Sequence, residues 1–335
     1  MTEWVPGTAA ALLPVVLFLA ALIWLDSYKL VRPRAVLLTI AGGLAAALAS
    51  WAVNDRLIFG AVFEVDTYAR YVAPPIEETA KALIVMALIR ASRIGFLVDA
   101  AIYGFAVGTG FALAENVLWL HALGGSYVAL WLLRGCGTAM MHGGTTAIFA
   151  IVAKSMHERR GLPGGTAYLP GWVLAVVIHS AYNHFFLSPA LSALVILLTL
   201  PLLLWLVFAT SERSLEEWLR VGFDADSQLL EMIRRGEVAD TKVGQYLHAL
   251  TAHFPGAVVA DMLCYLRIRV ELSLRAKALL IMREHGFAVA TDRADRERLA
   301  ELGYLEKSIG RAGRLALAPF VRTSGKELWQ ITMLG

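Results

Sequence analysis

The side chains most able to do chemistry in this sequence are ionisable groups inside long apolar segments. They are Glu77, Glu78, Lys81, Asp99, Glu115, Arg134, His142 and His179. A charged side chain at membrane depth costs at least ~2.5–3.5 kcal/mol on insertion scales. Such residues therefore need a partner, a water-filled cavity or a function. Asp99 lies near the end of its apolar segment, where we expect it to be solvated.

Carboxylates and imidazoles together support two related ways of hydrolysing an amide bond. In one, a glutamate acts as general base on water, while a histidine and an amide stabilise the oxyanion. In the other, His142, His179 and a glutamate hold a zinc ion, which lowers the pKa of a water towards 7. The sequence contains neither the HExxH helix of zinc proteases nor a GxSxG serine elbow. A metal would need ligands from several helices, and spacing alone leaves both mechanisms open.

The first two carboxylates are predicted to lie in the first turns of a helix. Prolines at 74–75 favour a helix start, because proline loses no intrahelical hydrogen bond there. Glu77 and Lys81 are four residues apart and can pair on one face, whereas Glu78 lies about 100° around the helix.

Glu115 is predicted to point into a helix bundle. It shares a face with Gly104 and Gly108, and glycines four apart allow close helix contact in membranes. The depth of each residue follows from the number of residues between it and the outer end of its predicted membrane span. By this count His142 lies near the middle of the membrane. Other members of the group lie within about two turns of the outer surface. These are Glu77, Glu78, Glu115, His179 and Asn183.

The composition indicates a membrane protein with a soluble tail. Of the 335 residues, 58% are hydrophobic and 17% are charged, and the mean hydropathy is +0.62. Residues 1–209 hold 22 of the 57 Asp, Glu, Lys and Arg residues, and residues 210–335 hold the other 35. We predict an all-α fold, with about seven transmembrane helices in 1–209 and a small helical domain in 210–335. The predicted spans are 8–26, 35–53, 73–90, 97–120, 128–153, 168–187 and 190–209.

Loop charges predict how the chain is oriented. Three loops on one side of the predicted membrane hold eight basic residues, whereas the other side holds only Arg56 and Arg70. By the positive-inside rule, the N-terminus is outside and residues after 209 are cytoplasmic. The eight basic residues are Lys29, Arg32, Arg34, Arg90, Arg93, Lys154, Arg159 and Arg160.

Other features exclude several classes of protein. Glu3 precedes the first apolar segment, the reverse of a signal peptide's positive start, so we predict that this segment is retained as a span. The net charge of +3 is spread evenly, without the basic excess of a nucleic-acid binder. Cys136 and Cys264 fall in different parts of the chain and suggest no disulfide framework.

Four ordered motifs resemble those of the PrsW family of intramembrane proteases. They are EETAK at 77–81, FALAEN at 111–116, the single mid-span His142, and HSAYN at 179–183. That family is related to the CAAX-processing (CPBP/Abi) membrane proteases. The sequence has an FxxxE motif at the position where the CAAX-processing enzymes have FxxxH. This difference favours the PrsW family.

The resemblance implies a multi-pass endopeptidase of a bacterial-type inner or plasma membrane. Its known members make the first cut in membrane-anchored anti-sigma factors, so a membrane-anchored protein substrate and a role in signalling are implied. Catalysis or metal binding would fall to Glu77, Glu78, Glu115, His142 and His179, with Lys81, Asn116 and Asn183 in support. If a metal is present, the resemblance implies zinc, held by Glu78, Glu115, His142 and His179.

Two other classes of function fit the same residues. Membrane carboxylates and histidines also form proton relays, so a proton- or cation-coupled transporter is one alternative. The halves of the sequence show no internal repeat of the kind many transporters have, which disfavours it. The second alternative is an inactive protease-like scaffold, which the presence of every expected catalytic residue disfavours. The oligomeric state stays open.

Overall fold

The computed structural model describes residues 4–59, 63–160, 164–287, 289, 292–321 and 325–334. These residues form helices joined by short turns, and the described part contains no strand. Glu3, which entered the signal-peptide prediction, and the side chains of Arg159 and Arg160, which entered the orientation prediction, lie outside the described residues. The chain divides into two compact units, residues 1–212 and 213–335, called below the N-terminal unit and the C-terminal unit.

Helices occupy all seven positions at which the sequence predicts spans. The helices of this part of the chain are α1 (Trp4–Leu25), α2 (Pro33–Phe59), α3 (Val65–Thr67), α4 (Ala73–Arg90), α5 (Leu97–Leu123), α6 (Val128–Leu133), α7 (Met140–Arg160), α8 (Leu169–Asn183) and α9 (Pro189–Arg235). Helix α3 lies between the second and third predicted spans. Two π-helical segments, Tyr68–Val72 and Arg134–Ala139, lead into α4 and α7. A short 3₁₀ turn, Gly164–Ala167, precedes α8.

Among the described residues, five helical stretches are long and apolar enough to cross a membrane. They are Val5–Leu25, Pro33–Leu57, Leu97–Leu123, Val128–Glu158 and Pro189–Arg235. Helix α4 is excluded from this set because its 18 residues include four charged ones, and α8 is only 15 residues long. The count of seven spans therefore stays a prediction.

Helix α5 lies at the centre of the N-terminal unit and is buried along most of its length. Glycine permits its close packing on two sides. A Cβ at Gly108 would overlap the His142 carbonyl group of α7, and one at Gly110 would overlap the Ile40 carbonyl group of α2. The close approach of α5 and α7 brings Glu115 next to His142, as the small-residue face of this helix predicts.

Asp99 corrects one prediction from the sequence. We expected this residue to be solvated, but its side chain is 0% exposed. Its carboxylate accepts the backbone N–H groups of Gly95 and Phe96, at 2.7 and 2.6 Å, at the start of α5. Gly95 and Phe96 directly precede the helix, so the carboxylate of Asp99 reaches back from the first turn to N–H groups that have no helical acceptor. It satisfies them even when it is shielded from water.

The C-terminal unit is helical as well. Beyond residue 213 it contains α10 (Lys242–Leu250), α11 (Gly256–Glu284), α12 (Arg293–Leu317) and α13 (Gly325–Leu334). Its core is built on the buried apolar face of α11, including Met262, Leu272 and Leu279. Gly310 breaks α12 with a φ of 65°, a conformation that glycine adopts without strain.

Candidate active site

Helix α4 supplies two adjacent carboxylates and a lysine at its start. The Lys81 Nζ lies 2.6 Å from Glu78 Oε1, and the two side chains are 0% and 2% exposed. The sequence analysis offered Glu77 as a possible partner of Lys81, whereas the structure pairs this lysine with Glu78. The partners three and four residues away are both within reach on a helix. Glu78 is the one that faces the interior, where an unpaired ammonium group would be most costly.

His179 of α8 lies between the two carboxylates. Its Nδ1 is 2.8 Å from Glu78 Oε1, and its Nε2 is 3.8 Å from Glu77 Oε2. A carboxylate paired with Lys81 accepts hydrogen bonds only, so the proton of a neutral His179 is assigned to Nδ1. The lone pair on Nε2 then faces Glu77.

His142 of α7 lies in a chain of polar contacts. Its Nδ1 is 3.1 Å from Lys81 Nζ, and its Nε2 is 2.7 Å from Glu115 Oε2. Because an ammonium group only donates, Nδ1 is the acceptor and the Nε2 proton points to Glu115. The ring stands edge-on to that of His179, with 4.9 Å between the centroids.

The second carboxylate oxygen of Glu115, Oε1, also accepts a hydrogen bond. Arg134 Nη2 donates to Glu115 Oε1 at 2.9 Å, and Arg134 Nε donates to Asn116 Oδ1 at 3.0 Å. Asn116 Nδ2 in turn donates to the Ala11 carbonyl oxygen of α1 at 2.8 Å. Asn116 therefore ties helices together and orients the arginine, and it does not meet the imidazoles.

Asn183 also bonds the backbone. Its Nδ2 donates to the Ala69 carbonyl oxygen at 2.8 Å, and the neighbouring Ser180 Oγ donates to that of Arg70 at 2.6 Å. Both carbonyls belong to the π-helical segment before α4. Asn183 and Ser180 thus anchor that segment to α8.

Three polar residues that the sequence analysis missed also contact the group. Asn54 Nδ2 of α2 donates to Glu77 Oε1 at 3.3 Å, and the Tyr68 hydroxyl donates to Asn54 Oδ1. Thr145 Oγ1 donates to Glu78 Oε1 at 3.2 Å. The only sequence signal for Asn54 was its polar side chain near the outer end of the second predicted span.

These residues surround a cavity of about 460 Å³. The lining includes four of the ionisable residues predicted from the sequence, Glu77, Glu115, His142 and His179, together with Asn54 and Tyr68. Glu78 and Lys81 are not part of the described lining and lie behind the imidazoles. Glu77, His142 and His179 each offer one donor atom, and these atoms all lie within 4.8 Å of one another.

Comparison with known proteins identifies the family of the chain. The family model for PrsW family intramembrane metalloproteases matches residues 31–210, which is more than half of the chain. The chain belongs to the PrsW family. No curated protein and no solved structure matches it. As a PrsW family member it is a membrane-embedded peptidase with several membrane helices, which confirms the resemblance drawn from the four motifs. The relation to CAAX-processing enzymes stays a prediction.

Membership of the PrsW family brings the question of a metal, and the donor set fits one. Two imidazoles and a carboxylate are the protein ligands of many catalytic zinc sites, with a fourth position left for water or substrate. Glu77, His142 and His179 form such a set, whereas the sequence analysis named Glu78 and Glu115 as the carboxylate ligands. Glu78 instead bonds His179 Nδ1, the contact that orients ligand histidines in many metal sites.

Proposed function

We propose that this PrsW family member hydrolyses a peptide bond of a membrane-anchored protein at the Glu77, His142 and His179 group. The proximity of these three donor atoms on the wall of a cavity that also contains Glu115 is the observation that carries the proposal. A divalent metal, zinc by its preference for this donor set, would be held by the same three residues. When bound, it would lower the pKa of a water and polarise the scissile carbonyl group.

His142 would become a metal ligand only by giving up one of its two hydrogen bonds, to Lys81 or to Glu115. Metal binding would therefore be coupled to the contacts of His142, because the ring nitrogen that binds the metal must carry no proton. His179 needs no such change, because its Nε2 carries no proton when Glu78 holds Nδ1–H.

We assign the general base to Glu115. A base must reach water, and its side chain is 28% exposed, whereas that of Glu78 is 2% exposed and bonds Lys81, His179 and Thr145. Glu115 takes a proton from water as the water oxygen bonds the carbonyl carbon. It then delivers that proton to the amide nitrogen as the C–N bond breaks, so a carboxylic acid and an amine are formed.

Glu78 and Lys81 are assigned a positioning role. The buried ion pair keeps Glu78 an acceptor for His179 Nδ1, and Lys81 Nζ donates to His142 Nδ1. One pair therefore fixes the ring orientation of both imidazoles. In the absence of a metal, the same Glu115 could activate water by itself, which is the second mechanism that the sequence left open.

The substrate and the topology complete the proposal. We propose a bacterial-type inner or plasma membrane, an outside N-terminus and a cytoplasmic helical domain at 210–335 that follows the protease domain at 1–209. A single-span protein such as an anti-sigma factor is the proposed substrate. Support comes from the distribution of basic loop residues and from the motif resemblance.

The test is the metal content of purified full-length protein in detergent, together with cleavage of a fusion protein that carries one transmembrane helix of an anti-sigma factor. We expect about one zinc per chain, and loss of both metal and cleavage in Glu77→Gln and His179→Ala. Glu64→Gln and His121→Ala change exposed residues of the same types and serve as matched controls. Full cleavage without metal, insensitive to chelators, would overturn the metal assignment and leave Glu115 acting alone. Absence of both would overturn the proposed function.

A further inference from the structure

Two polar side chains of α2 lie along the cavity wall and are not used by the chemistry described above. Ser50 and Asn54 are four residues apart, so they share a face of the helix, and both line the cavity. Ser50 is 2% exposed, and its Oγ has no hydrogen-bond partner among the described residues. An unpaired hydroxyl in such a place costs free energy unless a ligand supplies the missing partner.

The hydroxyl of Ser50 behaves differently from others in the same bundle. Thr39, also on α2, and Thr109 on α5 donate to the carbonyl oxygens four residues earlier, at 2.7 and 2.8 Å. This back-bond is the usual way in which a helix satisfies a hydroxyl side chain. Ser50 has no such bond and faces the cavity instead.

The side-chain amide of Asn54 is oriented by two hydrogen bonds, and one of its N–H groups is not used by them. Its Oδ1 accepts from the Tyr68 hydroxyl and its Nδ2 donates to Glu77, an acceptor-only carboxylate, so both contacts agree on which end is nitrogen. An amide carries two N–H groups, and the second has no partner among the described residues. The other amide of the described lining, Asn183, donates to a backbone carbonyl.

We propose that Ser50 and Asn54 form a peptide-binding strip for the backbone of an unwound substrate segment. A peptide bond can be cleaved only after its helix opens, which exposes N–H and C=O groups that need partners inside a membrane. The second N–H of Asn54 donates to the scissile carbonyl oxygen as negative charge develops on it. Ser50 bonds a neighbouring peptide group. The role of Asn54 in the reaction rests on the proposed function, whereas the binding of a peptide backbone to the strip does not.

The kinetic test compares single variants of the full-length enzyme on the fusion substrate. Asn54→Ala should lower kcat by about 10²–10³-fold, the effect of losing one oxyanion donor, with metal content unchanged. Tyr68→Phe should lower kcat less, because the amide remains but loses its orientation. Ser50→Ala should raise KM about 3–10-fold at constant kcat. Thr39→Ala, a hydroxyl on the same helix outside the cavity, should leave both constants unchanged and lower the Tm.

The binding test separates this inference from the proposed function. A fluorescent synthetic single-span peptide is titrated into Glu115→Gln and into Glu115→Gln with Ser50→Ala. A 3–10-fold weaker Kd for the double variant supports the strip even if the wild type cleaves nothing. Equal affinities would overturn the role of Ser50. Loss of metal from Asn54→Ala, with normal kcat per metal ion, would mean that Asn54 serves only to hold Glu77 and would overturn its role at the carbonyl oxygen.

Discussion

The N-terminal unit contains two groups of buried charged residues, and they are held in different ways. In the first, the site cluster (Glu77, Glu78, Lys81, Glu115, His142 and His179), side chains bond one another around a cavity. In the second, the capping cluster (Asp26, Asp99 and Lys154), the carboxylates accept backbone N–H groups, and Lys154 lies 3.2 Å from Glu158.

Both clusters contain fully buried charged side chains, so burial alone does not distinguish them. Asp26, Asp99 and Lys154 are each at most 2% exposed, as are Glu78 and Lys81. What differs is the site cluster's access to a cavity through Glu77 and Glu115. A carboxylate whose oxygens all accept local backbone N–H groups stabilises a helix start. A carboxylate with an oxygen that faces a cavity can act on a substrate.

The largest effect is expected from a substitution of Glu115, the partly exposed glutamate of the site cluster. Glu115→Gln removes the proposed base but keeps the shape of the side chain, so kcat should fall by about 10²–10⁴-fold. The Tm should change little, because the group is only partly buried. Cleavage of the fusion substrate and a thermal melt of the same sample measure both. Unchanged kcat would remove Glu115 from the chemistry.

The second prediction separates stability from activity within the site cluster. Lys81→Met leaves Glu78 buried without its partner, so unfolding free energy should fall by about 3–5 kcal/mol. The double variant Glu78→Gln, Lys81→Met removes both charges and should recover most of that stability. Activity should stay low, because the imidazoles lose their orienting contacts. Denaturant titration in detergent gives the first quantity and substrate cleavage the second. Full activity in the double variant would contradict the positioning role.

The capping cluster should respond in the opposite way. Asp99→Asn replaces one acceptor oxygen by a donor opposite a buried N–H group, which should cost about 1–3 kcal/mol of stability. Cleavage per folded molecule should equal that of the wild type. A fall in kcat at unchanged KM would show that the two clusters are coupled, and the distinction drawn above would fail.

The sequence predicts the elements of this site better than its contacts. Apolar length and charge locate the helices, and helical spacing predicts correctly that Glu115 faces the interior. Spacing on one helix cannot decide between neighbours at i+3 and i+4, so Lys81 was paired with Glu77 where the structure pairs it with Glu78. The partner depends on α8, whose His179 meets Glu78.

Contacts between distant segments could not be predicted from the sequence for a different reason. Asn54 of α2 meets Glu77, and Tyr68 of a π-helical segment meets Asn54, and no rule of spacing connects these residues. π-Helical turns insert a residue into the helix and often occur at functional sites, but no composition signal marks the two in this chain. Asp99 was misjudged because its partners are backbone groups, which a sequence pattern does not display.

The smallest predicted effect concerns Arg134, which resembles both clusters. Like Lys154 it pairs with a partly exposed glutamate, but its partner is the proposed base. Arg134→Gln should lower kcat roughly tenfold, the size of one charge-assisted hydrogen bond, with KM unchanged. Arg134→Lys keeps the charge but cannot bond Glu115 and Asn116 at once, so it should restore only part of the loss. Glu158→Gln, which breaks the matching pair of the capping cluster, should leave kcat at the wild-type value. Equal kcat for Arg134→Gln and Glu158→Gln would place Arg134 with the structural pairs, and the contact to Glu115 would then carry no function.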